Sequence, residues 1–172
     1  ASGSIDLDLY MTDEKKFCSA IETHLSIERE TLSKADLFFK YFLDIIEPEL
    51  GKRRPVIVYE YPLEMCPLSQ KCPHNLLTRQ QFELFINGIE LANAYGELTD
   101  PVEQERRFTH TIAERRALGK TPLTMPERFL DALKQGIPPC SGIALGVERL
   151  FMLFENARSL DEISLFDFGS YW

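Results

Sequence analysis

Apolar residues recur at helical spacing in the first third of the chain and alternate in its middle, and this change of period predicts the element order. Residues 13–25 and 34–47 read as helices. The second sets Leu37, Phe38, Tyr41, Phe42, Ile45 and Ile46 on one broad face, and Pro48 and Gly51 end it. Val56-Ile57-Val58-Tyr59-Glu60-Tyr61 is β-branched and aromatic, which predicts a strand halted by Pro62. Residues 63–80 read as loop with a short helix. Phe82–Ile86 and Ile89–Asn93 flank Asn87-Gly88, and a type I′ turn needs positive φ at both central residues, so these segments predict a hairpin.

Further on, Asp100 can cap a helix that has Pro101 at its first position, with Glu103 completing a capping-box-like pair. That helix should reach about Leu118, with Gly119 as its stop. A shorter helix near 127–135 ends at Gly136. Gly142–Gly146 reads as a glycine-flanked strand, 147–155 as a helix, and Ile163 to Phe168 as a final short strand. Strands and helices mix without regular βαβ alternation, which predicts an α+β fold with a largely antiparallel sheet flanked by helices. No repeat, low-complexity segment or long linker divides residues 1–172, so one domain is expected.

Composition adds exclusions. At 172 residues the chain can bury one real core. A net charge of −8 argues against holding nucleic acid through a diffuse basic field, though a local basic patch is compatible with it. No apolar run is long enough to span a bilayer. Ala1-Ser2-Gly3-Ser4 lacks the charged and apolar regions of a signal peptide, so a cytoplasmic protein with reduced thiols is expected. Of Cys18, Cys66, Cys72 and Cys140, the middle pair lies near His74. A zinc site there would need closer cysteine spacing and a fourth ligand, so loop cysteines without metal are the simpler expectation.

The hairpin carries candidate chemistry. A two-residue turn pairs Ile86 with Ile89, Phe85 with Glu90 and Glu83 with Ala92. Alternation then places Glu83 and Glu90 on one face, diagonally about 7–8 Å apart at the backbone. Two carboxylates so placed can share a cation, and oxygen-only ligation suits magnesium beside a nucleotide. The commoner outcome of such pairing is two solvent-facing acids. Strict alternation also puts Asn93 on the face opposite Glu90, unless a bulge intervenes. Glu97, near Tyr95, can hold an ammonium group by charge and cation–π attraction, or simply be an exposed acid before a helix.

A second constellation is Gly142-Ile143-Ala144-Leu145-Gly146-Val147-Glu148-Arg149. Gly142, Ala144 and Gly146 offer a flat floor for a ligand. Arg149 would sit in the first helical turn, where a guanidinium can stack on a purine and reach phosphate. Alone, small-residue strands and solvated arginines are frequent.

Together and in this order, the two constellations resemble class II aminoacyl-tRNA synthetases of the lysyl branch. Gly-x-Ala-x-Gly-x-Glu-Arg looks like motif 3, and FELFINGIELANAYGEL (Phe82–Leu98) looks like the segment preceding it. Glu60-Tyr61-Pro62-Leu63-Glu64 and Pro67-Leu68 resemble the upstream strand and loop. Ile89–Asn93 reads IELAN, Cys140-Ser141 precedes the glycine strand, and Ala144 replaces the middle motif 3 glycine. These three features resemble the paralogous branch that attaches β-lysine to elongation factor P. Glu64 and Pro67-Leu68 look more like the synthetases proper, so both branches stay open.

The resemblance implies ATP-dependent adenylation of lysine or a lysine-like amino acid. It implies that Glu83 and Glu90 hold ATP-bound Mg²⁺, that Arg149 stacks on adenine and contacts the triphosphate, and that Gly146 joins the ATP site. Asn93 would orient the amino-acid carboxylate, Glu97 would pair with the side-chain ammonium, Tyr95 would line that pocket, and Gly142 and Ala144 would form its floor. The acyl acceptor would be a lysine of elongation factor P or, less favoured, tRNA. No Phe-Arg-x-Glu of the motif 2 kind, no motif 1 helix and no anticodon-binding module is found in the sequence. The chain thus reads as about the last half of a catalytic domain, inactive alone, with a homodimer or pairing with an N-terminal half expected. A non-catalytic binding module and an unrelated α+β domain are the competing readings.

Overall fold

The computed structural model describes residue 5 and residues 8–27 and 32–164. Helices α1 (Leu9–Thr12), α2 (Glu14–Leu25) and α3 (Lys34–Tyr41) come first. Asp13 caps α2 by accepting from the Lys16 N–H, and Ser26 ends it in the left-handed conformation. Ser33 and Asp36 form a reciprocal capping box on α3. The expected single helix over 34–47 is three pieces: α3, a π turn over Phe42–Ile46 and a 3₁₀ turn over Glu47–Glu49 that contains Pro48. Proline fits the first turn of this last piece, so the chain tightens there rather than stopping.

Among the described residues four strands follow: β1 (Val56–Tyr59), β2 (Gln81–Ile86), β3 (Ile89–Gly96) and β4 (Ser141–Leu145). They form one antiparallel sheet in chain order. Between β3 and β4 lie α4 (Pro101–Ala117) and α5 (Glu127–Lys134). After β4 come α6 (Val147–Glu155) and a 3₁₀ turn over Leu160–Glu162. The mixed fold and antiparallel sheet agree with the sequence reading. No helix among the described residues is long and apolar enough to cross a membrane.

The core joins the N-terminal helices to one end of the sheet. Tyr10, Phe17, Ile21, Leu37, Phe38, Tyr41 and Phe42 pack with Phe85 of β2, all buried. Tyr10 meets Phe17 and Phe38 edge-on, with centroids 5.2 and 5.4 Å apart, and Phe42 meets Phe85 at 6.2 Å. Each such burial stabilises by roughly 1.5–3 kcal/mol. Past the helices, Gly51 adopts φ 74° and abuts the hairpin turn. The Asn87 N–H donates to Gly51 O and the Gly88 N–H to Leu50 O. A Cβ on Gly51 would lie 2.6 Å from Ile86 Cα, so only glycine fits.

Several expected boundaries move. The first strand stops at Tyr59, because Glu60 turns to φ 62° and leaves the ladder. Gly146 is the N-cap of α6, not a strand residue. Asp100 caps α4, accepting from Val102 and Glu103 N–H, but the Glu103 carboxylate binds Arg106 and Arg107 instead of closing a capping box. Two nearby guanidiniums outcompete one backbone N–H for it. Ile163 lies in a turn, and residues 165–168 of the expected final strand lie outside the described residues.

The segment between β1 and β2 is pinned rather than loose. Isolated bridges join Pro62 to Thr78, Lys71 to Arg79 and Ser69 to Glu97. Buried Arg107 reaches in from α4 and donates to Pro67 O at 3.0 Å and Ser69 O at 2.7 Å.

Candidate functional site

The Asn87-Gly88 turn forms as its chemistry requires, with φ of 53° and 73°. Phe85 pairs with Glu90 as expected, but the register then shifts: Leu84 pairs with Ala92 and Glu83 with Asn93, not with Ala92. Leu91 is the extra residue of a β-bulge in β3. Its carbonyl accepts from the Gly146 N–H at 2.8 Å, and the Glu90 carbonyl accepts from Arg149 Nη1 at 2.8 Å. The β4–α6 junction thus holds the bulge from the side.

This bulge brings Glu90 and Asn93 to one sheet face. The rung Val58–Glu83–Asn93–Ala144 runs straight across all four strands. The next rung on that face carries Gln81, Tyr95 and Gly142. Glu83, Asn93, Tyr95, Gly142 and Ala144 therefore share one surface, and the diagonal arrangement of Glu83 and Glu90 becomes a longer one across the bulge.

Glu83 is the electrostatic centre. Its carboxylate accepts from Tyr61 OH at 2.5 Å, Asn93 Nδ2 at 2.9 Å and Gln81 Nε2 at 3.0 Å. Burial raises its pKa above the usual range, the Tyr61 hydrogen bond opposes that rise, and the charges of Glu90 and Glu47 add to it. Burial, Glu90 and the opposing Arg149 likewise leave Glu47 raised. The Tyr61 hydroxyl is driven up by burial and by Glu83, so it stays a donor. Arg149 Nη1 stands 3.7 Å from Glu90 Oε2. Its stem folds over Gly146, where a Cβ would meet Arg149 Cδ at 3.2 Å. The charges of Glu47, Glu83 and Glu90 repel one another across this face, but their ligand atoms do not converge into one three-carboxylate cluster; Glu83 and Glu90 alone offer the oxygen donors that suit magnesium completed by water and phosphate.

Glu97 sits at the far end of this face. A Cβ on Gly142 would collide with the Glu97 carboxylate, so the glycine lets the acid lie flat on the sheet. The Glu97 N–H donates to Cys140 O, and its own carbonyl accepts from Gln70 Nε2. Tyr95 is partly buried beside Asn93, and burial raises its hydroxyl pKa.

Three contributors escaped the sequence reading: Tyr61, Gln81 and Glu47. Gln81 is two residues before Glu83, so alternation alone could have placed it on the same face. Tyr61 and Glu47 arrive from other elements, and nothing local marks them. Cys66 donates its thiol to Gln81 Oε1 and is buried, which pushes its pKa up to about 12. It is thereby parted from Cys72 and His74.

Comparison with known proteins identifies the family. The family model for class II tRNA synthetases (D, K and N) matches residues 8–168. The elongation factor P–(R)-β-lysine ligase of Hamiltonella defensa is 37% identical over 164 residues, covering 94% of this chain and 50% of the relative. The protein of that name from Haemophilus ducreyi is 42% identical over 125 residues, 73% of this chain and 38% of the relative. The lysine–tRNA ligase of Mycoplasma pneumoniae is 35% identical over 162 residues, 94% of this chain and 33% of the relative. The chain spans about half the length, or less, of these curated relatives. By the extent of the match, carried through the hairpin, the bulge, β4 and the turn of α6 that bears Arg149, this chain belongs to the class II tRNA synthetases of the D, K and N group.

Proposed function

We propose that this chain is part of a ligase catalytic domain that activates lysine, or a lysine-like amino acid, as its adenylate and passes the acyl group to a lysine of elongation factor P. The observation that carries the reading is the straight rung of Glu83, Asn93 and Ala144, with Arg149 docked on Glu90 beside it. In this reading Asn93 orients the substrate carboxylate. Glu97 and Tyr95 take the side-chain ammonium. Gly142 and Ala144 are the floor, and Arg149 with Gly146 receives adenine and phosphate. Glu83 and Glu90 would hold magnesium, which when bound neutralises charge on the triphosphate.

The substrate carboxylate oxygen attacks the α-phosphorus as the bond to pyrophosphate breaks. This step needs positioning and charge neutralisation more than covalent help, and these residues supply both. The Ala144 methyl narrows the floor relative to glycine, which supports a preference for a lysine isomer. The elongation factor P ligases among the relatives support a protein acceptor. Similarity to a lysine–tRNA ligase over the same share of the chain supports the second reading, transfer to a tRNA hydroxyl.

Two measurements test this. Calorimetric titration of magnesium ATP should show binding that weakens at least about tenfold, near 1.4 kcal/mol, in Arg149→Ala and Glu90→Ala. Equal affinity for all three proteins refutes the assigned site. Pyrophosphate exchange with lysine or β-lysine should be very slow with the 172-residue chain alone, which has no Phe-Arg-x-Glu arginine for the α-phosphate. Robust turnover by the chain alone refutes that dependence, and labelling of elongation factor P against tRNA separates the two acceptors.

A further inference from the structure

We propose that Glu60, Cys72 and His74 form a transition-metal site, suited to zinc, that clips the loop between β1 and β2 to the end of β1. One potential ligand atom from each lies within 4.8 Å of the others. His74 Nε2 is already 2.8 Å from Glu60 Oε1. A sulfur, an imidazole nitrogen and a carboxylate oxygen make a donor set that zinc accepts readily and magnesium does not. Tetrahedral zinc with ordinary bond lengths holds its ligand atoms roughly 3.3–3.8 Å apart. Closing the trio therefore needs about one ångström of movement, which His74, on the protein surface, can supply.

The backbone is arranged for it. Glu60 takes φ 62°, unusual for a residue with a side chain, and its N–H is held by Gln81 O at 3.0 Å. This leaves the ladder at the point where Glu60 must reach His74. Cys72 is buried and fixed through its N–H to Thr78 O, beside the Lys71–Arg79 bridge. Glu60 and Cys72 also line a cavity of about 440 Å³ with Tyr59, Phe82, Ala94 and Ile143. Those four form a rung on the sheet face opposite Glu83 and Asn93. Three protein ligands beside a cavity leave a fourth position for water. The site is separate from the nucleotide face but mechanically joined to it, because Glu60 precedes Tyr61, whose hydroxyl holds Glu83.

The test uses the full chain carrying Cys140→Ser, which removes the exposed thiol. Titration with cobalt(II) should saturate at one equivalent with a thiolate-to-cobalt charge-transfer band, and zinc should displace it. The band should vanish in Cys72→Ser, and affinity should fall by roughly tenfold or more in His74→Ala and in Glu60→Gln. Zinc should raise the melting temperature of the parent and not of His74→Ala. Absence of the band at stoichiometric cobalt, or a band unchanged in His74→Ala and Glu60→Gln, overturns the proposal and leaves a hydrogen-bonded Glu–His pair beside a buried thiol. His74 is at the surface, so this arm stands even if Cys72→Ser does not fold.

Discussion

Glu83 is pulled two ways: burial and its acidic neighbours favour the protonated form, while donors from Tyr61, Gln81 and Asn93 favour the anion. Removing a donor shifts that balance in a definite direction. In Tyr61→Phe the carboxyl pKa should climb further, because the lost hydrogen bond is the strongest of those opposing burial. Cation binding needs the ionised carboxylate, so magnesium ATP affinity should fall off at higher pH in the variant. Titrations between about pH 5 and 8 would check this, and superimposable acid limbs would exclude Glu83 from the site. Gly51 makes a second residue-scale prediction. A Cβ there meets the backbone of Phe85 and Ile86 at 2.6 Å, and φ is positive. Gly51→Ala should therefore cost about 1–3 kcal/mol in a denaturant melt, and should loosen the hairpin turn before the helices.

At the scale of elements, α4 holds the loop that carries Cys66 and Ser69. Glu103 fixes Arg107 at 2.8 Å, and Arg107 fixes the carbonyls of Pro67 and Ser69. Hydrogen bonds from Arg106 and Arg107 lower the Glu103 pKa from the ordinary 4.5 to about 2. A depressed carboxylate contributes stability that is complete above the unfolded value and lost as pH falls through the folded one. The advantage of the parent over Glu103→Gln should therefore be constant above about pH 5, shrink between 4.5 and 2, and be gone near 2. Urea melts across that range measure it, and a pH-independent difference would show that Glu103 acts through packing alone. The bulge works at this scale too. Its two carbonyls bind Gly146 and Arg149, so the hairpin and the β4–α6 junction are positioned as one piece.

For the whole molecule, the two sheet faces differ in kind. The face with Glu83 and Asn93 packs Phe85 and Val58 against the N-terminal helices and carries its polar groups beyond them. The opposite face carries the rungs Ile57–Leu84–Ala92–Leu145 and Tyr59–Phe82–Ala94–Ile143. At its margins Ile57 is 56% exposed, Tyr59 67% and Ile143 64%, more than scattered surface residues would explain. We expect the part of the relatives that this chain does not span to cover this face. The chain alone should bind hydrophobic dyes and associate with rising concentration. Sedimentation of the parent against Tyr59→Glu with Ile143→Glu tests this, and a parent that stays monomeric and dye-free would contradict it.

Local sequence was enough for the elements whose causes are local. The Asn-Gly turn, the Asp100 cap before Pro101, the glycine stops at 119 and 136, and the helical period of α2 act over a few residues, so their effect is readable in one dimension. It also named Glu83, Glu90, Asn93, Glu97 and Arg149 as a set, through spacing and resemblance. It did not reveal the Leu91 bulge, because the carbonyl that secures it bonds to Gly146, 55 positions away in the chain. Nor did it join Tyr61 to Glu83, or Glu60 to Cys72 and His74. Those meetings depend on long-range chain closure, in which packing of the helices and pinning of the loop choose the partner, and only the folded chain brings the groups within hydrogen-bonding or coordination reach.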